Sequence, residues 1–208
     1  FPPKTLNLLP EHVELAVYAD EIEEGGKSRG EWVDESIRQY ACHIKEGLVH
    51  RYCGLAIKFH DTANTYLTLD LREYESLHMH LDYDGPAERL NFYYRHTDIT
   101  DKAHEALADG FQSDQYIFTY LDKPELNKPI IIELSNFDIA DWWLQANYTN
   151  RSQIKRGLKN IIEFGINTDS NPPFGDYIFT LHKLEAQGEW ITKEAMYYYI
   201  VVMWLIAA

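Results

Sequence analysis

Leu77-His78-Met79-His80-Leu81-Asp82-Tyr83 and Leu90-Asn91-Phe92-Tyr93-Tyr94-Arg95-His96 are the stretches whose reading decides the fold. In the first run, and through Tyr94 in the second, apolar or aromatic side chains recur at every second position. That is the period of a half-buried antiparallel strand, because successive strand side chains point to opposite faces. The two strands are read at 76–83 and 89–97, and working outward further strand runs stand at 13–18, 37–45, 49–59, 65–70, 115–121, 129–134, 158–167 and 176–185. Helical patterning is confined to 100–109, closed by Gly110, and to the basic segment 152–159. About ten strands separated by turn signals predict an all-β fold, an antiparallel β-sandwich with short helices, rather than a βαβ arrangement.

The composition agrees with a folded, strand-rich body: 45% of the 208 residues are hydrophobic, 14% are aromatic, and 15 are tyrosine. A chain of this length fills one sizeable core. Lys and Arg number 19 against 33 Asp and Glu, and the net charge of −14 repels phosphate backbones and anionic headgroups. Nucleic acid is therefore not an expected partner.

The end of the sequence reads differently. Ala195-Met196-Tyr197-Tyr198-Tyr199-Ile200-Val201-Val202-Met203-Trp204-Leu205-Ile206-Ala207-Ala208 carries no charge, and Trp190, Lys193 and Glu194 precede it like the rim of a helix entering a headgroup layer. A full span needs about 20 apolar residues, so the run reads as a membrane helix cut short. A buried C-terminal helix or strand is the alternative, because a short apolar run does not distinguish them. The expected division is an extended, proline-rich arm at 1–12, a β-sandwich domain at 13–193 and the start of a transmembrane helix at 194–208. The chain opens on Phe1-Pro2-Pro3 without a basic-then-apolar leader, so any leader is expected to lie ahead of it.

Cys42 and Cys53 lie in adjacent strand runs around Glu46-Gly47. Pairing that places 45 opposite 50 also places 42 opposite 53, so a cross-strand disulfide is geometrically open, as are two separate thiols in another register. A bridge suits an oxidising compartment.

Several motif matches fail. Gly25-Gly26-Lys27-Ser28 resembles the end of a phosphate-binding loop, but Glu21 stands where its first glycine belongs. No Gly-x-Ser-x-Gly elbow and no Cys-x-x-Cys pair occurs, so no catalytic residue is assigned. Asn147-Tyr148-Thr149 and Asn150-Arg151-Ser152 are read as loop chemistry. The candidate site comes from strand faces. If the two deciding strands pair core to core, 81 meets 92, which sets His80 opposite Tyr93 and His78 opposite Arg95. His78, His80, Tyr93 and Arg95 would then form an outward patch with a ring, a guanidinium and two imidazoles for a small polar ligand; an ordinary solvated sheet face is the plainer reading. His78-x-His80 supplies two same-side imidazoles, yet zinc needs three or four ligands and no third is identifiable, so no metal is assigned. Asp20, Glu21, Glu23 and Glu24 offer oxygens for calcium but read first as a solvated loop. Of Trp142 and Trp143, one is expected buried and the other half exposed.

The passage Leu69-Asp70-Leu71-Arg72-Glu73-Tyr74-Glu75-Ser76-Leu77 is similar to one found in galactose-binding-like jelly rolls, carbohydrate-binding modules among them. Ile131-Ile132-Glu133-Leu134-Ser135-Asn136-Phe137 through Asp141-Trp142-Trp143, followed by Leu184-Glu185-Ala186-Gln187-Gly188-Glu189-Trp190-Ile191 and the apolar run, resembles the N-terminal extracytoplasmic regions of bacterial membrane-bound GGDEF diguanylate cyclases and sensor histidine kinases. The resemblance implies a jelly-roll sensor lobe on the periplasmic side of the inner membrane, binding a small polar ligand or a periplasmic protein and signalling to a cytoplasmic output domain. No Gly-Gly-Asp/Glu-Glu-Phe motif is present, no cofactor is implied, and a homodimer stays open. A plain carbohydrate-binding module and a protein-interaction lobe without a small ligand are the alternatives. Where carbohydrate-binding relatives often end in a strand with paired aspartates, 177–185 offers His182 and Lys183.

Overall fold

The two alternating runs do fold as strands, but of different sheets. The computed structural model describes residues 2–11, 13–48, 50–59, 67–97, 114–147, 149–152, 154–169, 171–190, 196–198 and 201–204. In chain order its elements are β1 (Lys4–Asn7), β2 (Glu14–Ala19), β3 (Arg29–Asp34), β4 (Gln39–Ile44), β5 (Cys53–Lys58), β6 (Ser76–Asp84), β7 (Arg89–Thr97), β8 (Asp114–Asp122), β9 (Pro129–Glu133), β10 (Asp138–Ile139), α1 (Asp141–Ala146), β11 (Ile161–Thr168) and β12 (Gly175–Gly188), with single 3-10 turns between some of them. The back sheet has the order β3-β4-β12-β6-β9, with β1 continuing the line of β4 along the far end of β12; the front sheet has the order β10-β8-β7-β11-β5-β2. All pairs are antiparallel. The architecture is the β-sandwich that the alternation predicts.

Between the sheets, Leu77, Met79, Leu81 and Tyr83 of β6 face Leu90, Phe92 and Tyr94 of β7 in one continuous core. Aromatic packing fills it. Tyr40 stacks on Phe179 with centroids 4.7 Å apart, and Phe92 on Phe164 at 6.0 Å. Each such ring taken fully out of water contributes roughly 1.5–3 kcal/mol.

The predicted register of 81 with 92 is not formed. β6 pairs with β12 and β9, whereas β7 pairs with β11 and β8. The alternation assigns the inner faces correctly, but two strands with inward apolar faces satisfy it equally well by packing across the core. The disulfide has a similar history. Cys42 and Cys53 are bridged, yet β4 and β5 do not pair: the bond crosses the core from the back sheet to the front.

Other differences are local. Residues 4–7 are not an arm ahead of the sandwich but its strand β1, and Leu8 and Leu9 behind them are buried in the core. The segment 154–158 is irregular rather than helical. Arg156 donates to the carbonyls of Ser135 and Phe137, and the Leu158 carbonyl accepts from Leu71 N, contacts that hold it as a strap. Of the run at 65–70, residues 65 and 66 lie outside the described residues, and residues 67–70 contribute an isolated bridge between Leu69 and Ile161. The predicted helix at 100–109 lies outside the described residues. At the C-terminus, 196–198 and 201–204 are helical, and Tyr197, Tyr198, Met203 and Trp204 are 63–74% exposed, so these residues are not a buried core element. No helix among the described residues is long and apolar enough to cross a membrane.

Candidate functional site

On the outer face of the front sheet, register brings distant residues into rows. Tyr18, Gly54, Asn167, Asn91 and Tyr120 form one row across β2, β5, β11, β7 and β8. The next holds Ala16, Ala56, Gly165, Tyr93 and Phe118, and the third Glu14, Lys58, Glu163, Arg95 and Tyr116. The strands β5 and β11 carry Gly54, Ala56 and Gly165, whereas β8 presents Tyr116, Phe118 and Tyr120 at alternate positions. Trp142, from the first turn of α1, extends that aromatic stripe. Ring centroids run 5.3 Å from Trp142 to Tyr116, 6.2 Å on to Phe118 and 5.2 Å on to Tyr120. Trp142 and Tyr120 are 48% and 41% exposed, presenting ring surface to solvent.

A polar network runs beside the stripe. Tyr93 stacks on Tyr116 at 4.7 Å and donates its hydroxyl to Glu163 Oε1 at 2.8 Å, while its oxygen lies 3.1 Å from that of Tyr18. Asn167 Nδ2 donates to the hydroxyls of both Tyr18 and Tyr116, and Asn91 Nδ2 to that of Tyr116. Burial pushes the Tyr93 phenol well above its usual range, reinforced by the neighbouring Tyr18 and Glu163. Burial likewise raises Tyr18 and Tyr116. These hydroxyls therefore stay protonated and act as hydrogen-bonding groups. Burial works against the Arg95 cation, but Glu163 and the tyrosines outweigh it and raise its pKa; its Nε stands 3.5 Å from Glu163 Oε1.

Three buried polar atoms of this face have no hydrogen-bond partner among the described residues: Asn91 Oδ1, Asn167 Oδ1 and Arg95 Nε. Two acceptors beside a guanidinium, on a face that also offers flat rings, suit a ligand with hydroxyls and an apolar ring face. At the far end, the Arg89 guanidinium lies 3.8 Å from the Tyr120 ring centroid and pairs with Asp169 at 2.8 Å. Arg89, Asp122 and Asp169 line an open depression of about 420 Å³ there.

The four residues singled out from the sequence do not converge. Tyr93 and Arg95 belong to this face, with Tyr93 almost wholly buried beneath it. His78 and His80 point outward from the back sheet, on the opposite side of the sandwich, where His78 lies between Ile131 and Glu185. Trp143 is buried and Trp142 half exposed, as expected, although a helix rather than a strand or loop separates them. Asp20 of the acidic loop is buried and accepts from Ser28 N, and Glu23 accepts from the Tyr52 hydroxyl. Tyr18, Asn91, Tyr116, Phe118, Tyr120 and Asn167 were not anticipated. The Tyr-x-Phe-x-Tyr alternation at 116–120 was the readable signal.

No family model matches the sequence, and no curated protein matches it. Solved structures are similar in fold. A family 11 carbohydrate-binding module from Clostridium thermocellum, in complex with a β-1,3-1,4-mixed-linked tetrasaccharide, superposes with a TM-score of 0.55 at 15% identity, covering 90% of this chain and 96% of that one. The family 11 carbohydrate-binding module of the cellulosomal cellulase Lic26A-Cel5E from the same organism gives 0.53 at 15% identity, covering 90% and 95%. The fold is thus the jelly-roll β-sandwich.

Proposed function

We propose that this chain is a non-catalytic carbohydrate-binding module that holds a neutral oligosaccharide along the outer face of the front sheet. The observation that carries the reading is the stripe of Trp142, Phe118 and Tyr120 beside Asn91 Oδ1 and Asn167 Oδ1, which have no hydrogen-bond partner among the described residues, and the Arg95 guanidinium, whose Nε lies 3.5 Å from Glu163. Rings stack on the apolar faces of sugars while amides and a guanidinium meet their hydroxyls. The fold shared with a module solved with a mixed-linked tetrasaccharide supports it. The net charge of −14 favours neutral over acidic glycans. Calorimetric titration with mixed-linked β-glucan, cello- and manno-oligosaccharides tests it. Saturable binding to one glycan, weakened by Trp142→Ala and Tyr120→Ala but not by Phe174→Ala, is expected. Absence of binding to every glycan, or binding indifferent to both substitutions, overturns it.

A second reading adds to the first: an extracytoplasmic ligand-sensing module of a transmembrane signalling protein, on the periplasmic side of the inner membrane. It is favoured by the exposed, helical, apolar residues Tyr197, Tyr198, Met203 and Trp204. A ligand signals in this way only through a preference for one of two conformations. Flotation of the full chain with zwitterionic vesicles, against a chain ending at Trp190, tests the membrane contact; equal recovery of both removes it.

A further inference from the structure

On the opposite side of the molecule, we propose that His80, Asp82 and His182 bind a divalent transition-metal ion of the zinc type. His80 and Asp82 stand two apart on β6 and so share its outward face. His182 reaches them through a β-bulge. Up to Leu181, opposite Leu81, β12 and β6 pair regularly; beyond it Lys183 stands opposite His80, which leaves His182 as the inserted residue. The insertion turns both His182 and Lys183 outward before Leu184 returns to the core. Lys183 then pairs with Glu185 at 2.9 Å, which leaves the imidazole beside the carboxylate.

The resulting geometry is that of a three-ligand set. His182 Nε2 is 2.8 Å from Asp82 Oδ2, His80 Nε2 is 3.5 Å from Asp82 Oδ1, and the imidazole rings are 4.7 Å apart. One ligand atom from each residue lies within 4.8 Å of the others. A cation about 2.0–2.2 Å from each ligand fits between atoms so spaced after small side-chain rotations. Two imidazoles and one carboxylate select zinc, cobalt, nickel or copper over calcium and magnesium, which prefer oxygen alone. All three side chains are 37–50% exposed, so a metal enters directly and keeps a coordination position for water or an outside ligand. The disulfide between Cys42 and Cys53 removes both thiols as competitors. Ion pairing of His182 with Asp82, without metal, is the competing account of the same contacts.

The test is titration of the full chain with Co²⁺, read by its visible absorption, with displacement by Zn²⁺. One saturating equivalent is expected, its spectrum lost in both His80→Ala and His182→Ala and kept in His43→Ala, which removes a different histidine held between carboxylates. Zn²⁺ should also raise the melting temperature of the wild type but not of Asp82→Asn, since a ligand that binds only the folded chain stabilises it. No saturable binding, or a spectrum that survives either histidine substitution in a folded variant, overturns the proposal.

Discussion

The ring of Tyr93 lies across the backbone of Gly165, its partner on β11, so closely that a Cβ built there would stand 2.2 Å from the ring Cζ and 2.3 Å from the hydroxyl. The glycine therefore lets the ring cross β11, where its hydroxyl meets Glu163 of that same strand and Tyr18 of β2 beyond it. The network beneath the aromatic stripe depends on a side chain that is missing.

Gly165→Ala should displace Tyr93 and cost about 1–3 kcal/mol of stability, the range for overpacking a closely packed site. Tyr93→Phe keeps the ring but loses the hydroxyl's bond to the Glu163 carboxylate, a loss of about 1.5–3 kcal/mol. Because both substitutions act on one contact, urea unfolding of the double variant should show a loss smaller than the sum of the two single losses. Additive losses would mean that the ring stays in place over the added methyl group.

The disulfide joins the two sheets and closes a loop with a sequence separation of 11. Constraint of the unfolded chain by a loop of this size is worth about 3 kcal/mol. The double substitution of Cys42 and Cys53 by alanine should lower stability by that order, and dithiothreitol should do the same to the wild type alone. Unchanged unfolding midpoints under reduction would contradict the bridge.

How much of this was legible in the sequence follows from what is local and what is not. Period-two alternation at 77–83 and 90–96 identifies strands and their inner faces, because side-chain direction is a local property. Which strand lies beside which is a long-range property, so the pairing inferred from those same runs failed, and with it the union of His78 and His80 with Tyr93 and Arg95. The bulge at His182 is likewise visible only once β12 is seen against β6. The cysteine pair was readable as a bridge, though not as one between sheets. One indole of the Trp142-Trp143 pair was expected half exposed, but that it is Trp142, at the end of the Tyr116–Tyr120 stripe, depends on β10 and α1 following the sheet edge.

His43 holds Asp176 at 2.7 Å through Nδ1 and Glu31 at 3.4 Å through Nε2. The hydrogen bond to Asp176 is the main reason its pKa is raised above 6.5, with Glu31 adding to it. A histidine raised in the folded state contributes stability that is fully present below the unfolded value and is lost as pH rises through the folded value. The stability difference between wild type and His43→Gln should therefore be larger near about pH 5.5 than near about pH 8.5. A difference that is flat or grows with pH would show that the imidazole is not held as a cation.

The spacing of the rings along the stripe sets a length for the ligand. Successive centroids from Trp142 to Tyr120 are 5.3, 6.2 and 5.2 Å apart, so the stripe is longer than a single sugar ring, and its two most exposed members lie at its ends. A monosaccharide can use one end only. Affinity should rise with chain length as each added stacking contact contributes roughly 0.5–1.5 kcal/mol, up to about tenfold per ring. Trp142→Ala should remove the gain from the last added sugar while leaving the affinity for shorter oligosaccharides nearly unchanged, because the short ligand still reaches Phe118 and Tyr120. Calorimetry over a series from monosaccharide to hexasaccharide checks this. A single affinity across the series would place the sugar elsewhere, at a site recognising one terminal residue such as the depression beside Arg89 and Asp169.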